Sequence, residues 1–231
     1  RARRAFNIAA ELVVIAFFTW LFMAGQWTKE ERKRLIVIVV LFAGAAVFWS
    51  AFEQAASTLN LFAAQNTRNS IFGWTFPSSW FQSVNALMII IFAPVFAWIW
   101  ISLGKRDPSS PAKFAFGLVS VGLGFVVMVG AAQASANGVL VSPMWLVLTY
   151  LLHTIGELSL SPVGLSSMTK LAPDRVKGMM MGVWFLAASV GNLIAGGVLR
   201  FYADFTLPQV FGAVAAFAIV AGLVMFALVL P

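Results

Sequence analysis

The stretch HTIGELSLSPVGLSSMTKLAP, His153 to Pro173, carries one acid, Glu157, at the centre of an apolar run from Pro143 to Leu171, fourteen residues from either end. Crossing about 30 Å of hydrocarbon takes about 20 mostly apolar residues at about 1.5 Å of rise each, so this run reads as a transmembrane helix. An ionised carboxylate is hardest to tolerate at such a midpoint, where it costs roughly 2.5 to 3.5 kcal/mol or more. It must therefore look into a cavity or meet a partner, and by default it marks function.

Outward from that run, six more qualify, approximately Ala5 to Gly25, Leu35 to Ala64, Ser78 to Leu103, Phe114 to Ala134, Gly178 to Leu199 and Leu207 to Leu230. All are expected as helices, because isolated strands would leave backbone groups unsatisfied in lipid. The runs are too long, and lack the strict alternation, for a strand barrel. Composition agrees: 61% of the 231 residues are hydrophobic and 10% charged, with a mean hydropathy of +0.92. An ordinary soluble domain is nearer 45 to 50% apolar and about 25% charged. The fold class expected is an all-α membrane protein.

The net charge of +7 would point to nucleic acid in a soluble chain. Here the basic residues crowd into short loops between apolar runs, a pattern that orients helices in a bilayer. With the first loop placed in the cytoplasm, that side carries Lys29, Arg32, Lys33, Arg34, Lys105, Arg106, Lys113, Lys170, Arg175 and Lys177, while the opposite loops carry only Arg68 and Arg200. The expected partner is the lipid bilayer, with no nucleic acid, in the cell inner or plasma membrane, multi-pass, C-terminus cytoplasmic. The chain opens RARRAFN without an initiator Met, and the expectation is a piece whose earlier part is absent. Residues 28–231, with six runs in hairpin-linked pairs, have the size of one half of a twelve-helix transporter; residues 1–27 hold an accessory helix.

The chain has no cysteine and one histidine, His153. Thiolate chemistry is excluded and no metal site is expected; His153 is read as a pore or packing residue. There is no Walker-type phosphate loop, no two-histidine zinc helix and no GxSxG elbow. No cofactor is expected, and a proton is the natural coupling ion for buried glutamates. Around Glu157, the residues Tyr150, Thr154, Ser161, Gly164 and Met168 follow steps of three and four and share its face. Pro162 lacks an N–H and opposes the Leu158 carbonyl, so it is a candidate hinge or a plain packing kink. The second deep acid is Glu53, with Trp49, Ser57 and Asn60 on one face and Gln54 adjoining. Counted from Leu35 it lies 18 residues along, about 27 Å at about 1.5 Å per residue, so it is expected towards the outer side. Asn85, near the outer end of the next run, is expected in the same vestibule. Gly178 and Gly182 have a GxxxG spacing, read only as packing.

FWSAFEQAASTLNLFA, WFQSVNALMIIIFAPVFAW and GELSLSPVGLSSMTKLAP, in this order and spacing, resemble the C-terminal half of the proton-dependent oligopeptide transporters, a branch of the major facilitator superfamily. The resemblance implies a six-helix C-terminal bundle, preceded by the second of two accessory helices, that symports di- and tripeptides with protons together with an N-terminal six-helix half. It implies that Glu157 meets the peptide amino terminus and that Asn85, Ser161 and Trp184 contact substrate. Glu53 would form a proton-linked gate with an arginine of the first helix. That accessory-helix assignment puts Arg1, Arg3 and Arg4 outside without breaking the topology. Two positions depart from the pattern: Ala56 stands where Gly is common, and His153 where a neutral polar group is expected and where a charge would act on Glu157. The ExxER signature of the first helix has no counterpart here. A related carrier of nitrate, drugs or other solutes and a non-transporting receptor stay open. A membrane enzyme is disfavoured by the different depths expected for Glu53 and Glu157.

Overall fold

The computed structural model describes residues 2–202 and 204–229. Eight α-helices follow in order: α1 (Ala2–Ala24), α2 (Lys29–Phe52), α3 (Thr58–Asn66), α4 (Trp80–Leu103), α5 (Ser110–Ala134), α6 (Met144–Leu171), α7 (Met180–Val198) and α8 (Leu207–Val229). With short 3₁₀ extensions they make six runs long and apolar enough to cross a membrane, the first joining α2 and α3 over Lys29–Asn66. The expected Ala5 to Gly25 run is α1. The expectations on Arg1, Arg3 and Arg4 fall on side chains outside the described ones.

Local chemistry sets the helix ends. Thr28 begins α2 with a capping box: its Oγ1 accepts from the Glu31 N–H at 3.2 Å, and Glu31 Oε2 accepts from the Thr28 N–H at 2.8 Å. Two otherwise orphaned donors are satisfied reciprocally. Between α3 and α4 lies a feature not expected from the sequence, a two-stranded hairpin of β1 (Ser70–Ile71) and β2 (Trp74–Thr75). Its turn residues Phe72 and Gly73 both have positive φ, 51° and 82°, the mirror-image turn that matches strand twist. At the same end of the bundle, Thr67 forms a parallel bridge with Val141. Arg68 N–H donates to Val141 O and Val141 N–H donates to Asn66 O, both at 2.9 Å, so the end of α3 is joined by backbone to the start of α6.

Helix α5 is central, packing most extensively on α8 and α6, while α2 packs on α7 and α4 on α6. These contacts are close because glycine stands at the crossings. At α5/α6 a Cβ on Gly117 would come 2.9 Å from the Gly156 carbonyl, and one on Gly156 2.8 Å from the Gly117 carbonyl. A Cβ on Gly222 of α8 would come 3.0 Å from the Ala115 carbonyl, and one on Gly191 of α7 2.9 Å from the Ala46 carbonyl. Backbone approach of this kind is how helices associate in lipid, where burial of apolar surface gives no drive. The GxxxG spacing of Gly178 and Gly182 does not mark such a crossing, since a Cβ at either meets nothing within 4 Å. Helix α1 lies on the outside, with Phe18 edge-to-face on Phe42 of α2 at 4.9 Å and Leu21 buried.

Gly156→Val should force α5 and α6 apart. The expected loss is about 1–3 kcal/mol, as for overpacked cores, read as a lower melting temperature in detergent, whereas Gly178→Val, facing open space, should leave it unchanged.

Candidate functional site

The expected single helix from Leu35 to Ala64 is interrupted. At its end α2 tightens into a 3₁₀ turn over Glu53–Ala56, and Ser57 leaves helical geometry at φ −124°, ψ −94° before α3 resumes. A mid-helix 3₁₀ stretch commonly marks a hinge. Gln54 occupies the break, 0% exposed. Its Nε2 donates to the Ser50 carbonyl at 3.1 Å and to the Ala195 carbonyl of α7 at 3.4 Å. Its Oε1 accepts from Thr58 Oγ1 at 2.9 Å and Ser57 Oγ at 3.2 Å. One side chain thus replaces ladder bonds that the break removes and ties it to α7. Gln54 was read from sequence only as a neighbour of the acidic face.

Glu53 projects from this break, half-buried. The α2–α3 run reaches Asn66 and its end is tied beside the start of α6, so depth is better counted from there. Glu53 is 13 residues in from Asn66 and Glu157 is 13 residues in from Met144, about 20 Å for each at about 1.5 Å per residue. Glu53, 24 residues from Lys29 and 13 from Asn66, lies nearer the end of its run that is joined to α6.

Asn85, on α4, is brought to Glu157 and not only to the vestibule of Glu53. Its Nδ2 donates to Glu157 Oε2 at 3.1 Å and to Thr154 Oγ1 at 3.0 Å. Thr154 Oγ1 in turn donates to the Tyr150 carbonyl at 2.8 Å. The amide is therefore fixed, and it presents the carboxylate from a rigid pair of helices. Thr154 is a member of this group that the sequence reading placed on the face without assigning it a role; its spacing of three from Glu157 was the available signal. Among the described residues no salt bridge reaches Glu53 or Glu157. Both are half-buried, so each holds a carboxylate in reach of a cation that these residues do not supply.

Ser161 lies one turn further along α6, and its Oγ is buried without a hydrogen-bond partner, as are Trp49 Nε1 and Asn60 Oδ1. Pro162 is exposed within an unbroken α6, leaving the Leu158 carbonyl without its helical donor. Trp184, expected at the cavity wall, is instead in the core at 6% exposure. Gly164 leaves the room, since a Cβ there would overlap the indole, and Phe114 meets the ring edge-on at 6.4 Å. His153 is also sealed, at 0% exposure, among Phe52, Phe125 and Tyr150. It packs over Gly124 of α5, and neither ring nitrogen closes a hydrogen bond of ordinary geometry, although the Val121 backbone lies near. It is a packing residue and not a charge acting on Glu157. Among the described residues no group of three or more side chains could hold a metal ion.

The POT family profile (PTR2) matches residues 5–220. The chain is 44% identical over 225 residues to the peptide transporter YePEPT of Yersinia enterocolitica, covering 94% of this chain and 44% of that protein. It is 32% identical over 229 residues to a di-/tripeptide transporter of Lactococcus lactis, covering 97% and 46%. The chain spans about half the length of the curated relatives it matches. A crystal structure of a peptide transporter POT in complex with sulfate superposes with a TM-score of 0.92 at 40% identity, over 98% of this chain and 46% of that one. A POT family transporter in complex with 5-aminolevulinic acid gives 0.89 at 31%, over 97% and 47%.

Gln54→Ala should leave the break in α2–α3 unsupported. Leaving buried hydroxyls and carbonyls unpaired is expected to cost about 1–3 kcal/mol, seen as faster amide hydrogen exchange confined to residues 50–60.

Proposed function

Since the chain belongs to the POT family, we propose that it is the C-terminal half of a proton-coupled symporter of di- and tripeptides, completed by a second six-helix half. The observation that carries this reading is the half-buried Glu157 carboxylate held by Asn85, with Glu53 half-buried in a neighbouring run and no salt bridge to either among the described residues. A carboxylate at membrane depth needs a positive partner or a proton. A peptide ammonium and a proton satisfy that need alternately, which is what coupling requires. Residues 28–231 form the transporter half and residues 1–27 the accessory helix.

In this reading Glu157 receives the peptide amino terminus, Asn85 fixes the orientation of that carboxylate, and Ser161 offers its unpartnered hydroxyl to the ligand. Trp184 serves from behind, packing against α6 at Gly164. Glu53 acts as the proton-linked gate, meeting a cation of the other half when the outer side is closed. Pro162 is the pliable point of α6, since the carbonyl it frees lowers the cost of bending there. The proton is the coupling ion and no other cofactor is required. Relatives that carry the name peptide transporter support the substrate class, as does a neighbour that holds 5-aminolevulinic acid, which has an amine and a carboxylate like a short peptide. The basic end of the bundle faces the cytoplasm by the positive-inside rule, with the C-terminus inside, in the cell inner or plasma membrane.

Glu157→Gln in the full-length transporter keeps the shape and the Asn85 contact but removes the charge. Proton-driven dipeptide uptake into liposomes should fall at least about tenfold, the loss of a charged hydrogen bond, while the melting temperature stays near wild type. Uptake and proton dependence equal to wild type would rule out the assignment, and uptake of nitrate in place of dipeptide would move the protein to another substrate class.

A further inference from the structure

At the basic end of the bundle one arginine bridges three parts of the chain. Arg175 lies in the turn between α6 and α7, which is anchored by the buried Ala172 and Val176 and closed by the Val176 N–H donating to the Pro173 carbonyl at 2.9 Å. Its Nη2 donates to the carbonyl of Gln26 at 3.2 Å, across 149 residues of sequence. Its guanidinium lies 4.7 Å over the Trp27 ring, and Nη2 stands 3.9 Å from Glu31 Oε1. Each partner is itself held. Trp27 Nε1 donates to the Leu21 carbonyl at 2.7 Å, closing the end of α1, and Gly25 leaves room for the indole, which a Cβ there would overlap. Glu31 uses its other oxygen in the capping box of α2.

We propose that Arg175 is a positioning residue, a clasp that holds the α6–α7 turn to the α1–α2 corner so that the basic ends of α2 and α6 move as one body during transport. The proposal rests on the transporter reading for its consequence but not for its geometry. Helix α6 carries Glu157, 18 residues before Arg175, and the α2 run carries Glu53, 22 residues after Glu31. Pro162 and the break at Glu53–Ser57 interrupt both runs midway, and the clasp adds a polar tie to the apolar packing that already joins their basic ends. Arginine suits the task because its planar fork can hydrogen-bond a carbonyl while its face stacks on an indole. Lysine can do only part of this. Arg175 is 58% exposed and the Glu31 pair is long at 3.9 Å. The carboxylate is therefore the weak, salt-screened member, and the Gln26 and Trp27 contacts hold most of the clasp.

The test uses the full-length transporter in lipid nanodiscs. This chain has no cysteine of its own, so spin labels introduced at Lys29→Cys and Gly178→Cys, both exposed, report the distance between corner and turn. Arg175→Ala should broaden that distribution about two- to fivefold relative to wild type, and lower kcat for uptake by a similar factor with KM unchanged, the scale of a lost exposed cation–π contact and ion pair. Arg175→Lys should recover part of both, and Glu31→Gln should change little. Either change without the other overturns the coupling, as does a rise in KM alone. If wild type moves no dipeptide, the functional reading fails by itself, while the distance distributions still decide whether the clasp exists.

Discussion

A carboxylate within a membrane-spanning helix that meets no salt-bridge partner among the described residues is the constraint around which this bundle is arranged. Glu157 is tolerated because Asn85 donates to one of its oxygens from a neighbouring helix and because its side chain is only half-buried. The amide is neutral, so it orients the acid without discharging it. That leaves the group able to accept either a proton or a cationic ligand. A salt bridge at the same place would be a finished interaction, and breaking it would be costly.

Two kinds of contact hold the surrounding helices to their task. Backbone-to-backbone approach at Gly117 and Gly156, and again at Gly191 and Gly222, makes α5 and its neighbours a rigid frame with little side-chain freedom to lose. Against this frame the α2–α3 run is deliberately discontinuous, with Gln54 supplying the hydrogen bonds that the helix gives up. Rigid crossings beside a supported break confine deformation to one place, and that place adjoins Glu53.

The spans were legible from sequence because lipid imposes a blunt rule, that apolar runs cross, and Glu157 was conspicuous as a charge within one. The break at Glu53–Ser57 was not legible. Its residues EQAAS contain neither proline nor glycine, and what stabilises it is a bond from Gln54 to the Ala195 carbonyl 141 residues away. Nor was the backbone joint between Thr67 and Val141, which no local pattern announces. Spacing within one helix equally cannot say which glycines meet another helix, so Gly178 and Gly182 stood out in the sequence while Gly117 and Gly156, on different helices, did not. Trp184 looked like a cavity residue until the space above Gly164 drew it inward.

That same Thr67–Val141 pairing has a mechanical meaning. Main-chain hydrogen bonds on both sides of Val141 pin two long rods together at one extremity, as a rivet joins the blades of scissors. The far extremities are joined as well, through Arg175 to the Gln26 carbonyl and the Trp27 ring, so neither rod has a free tip. Rods fastened at both extremities yield between them, at the break over Glu53–Ala56 and at Pro162, and the two acids stand beside those points.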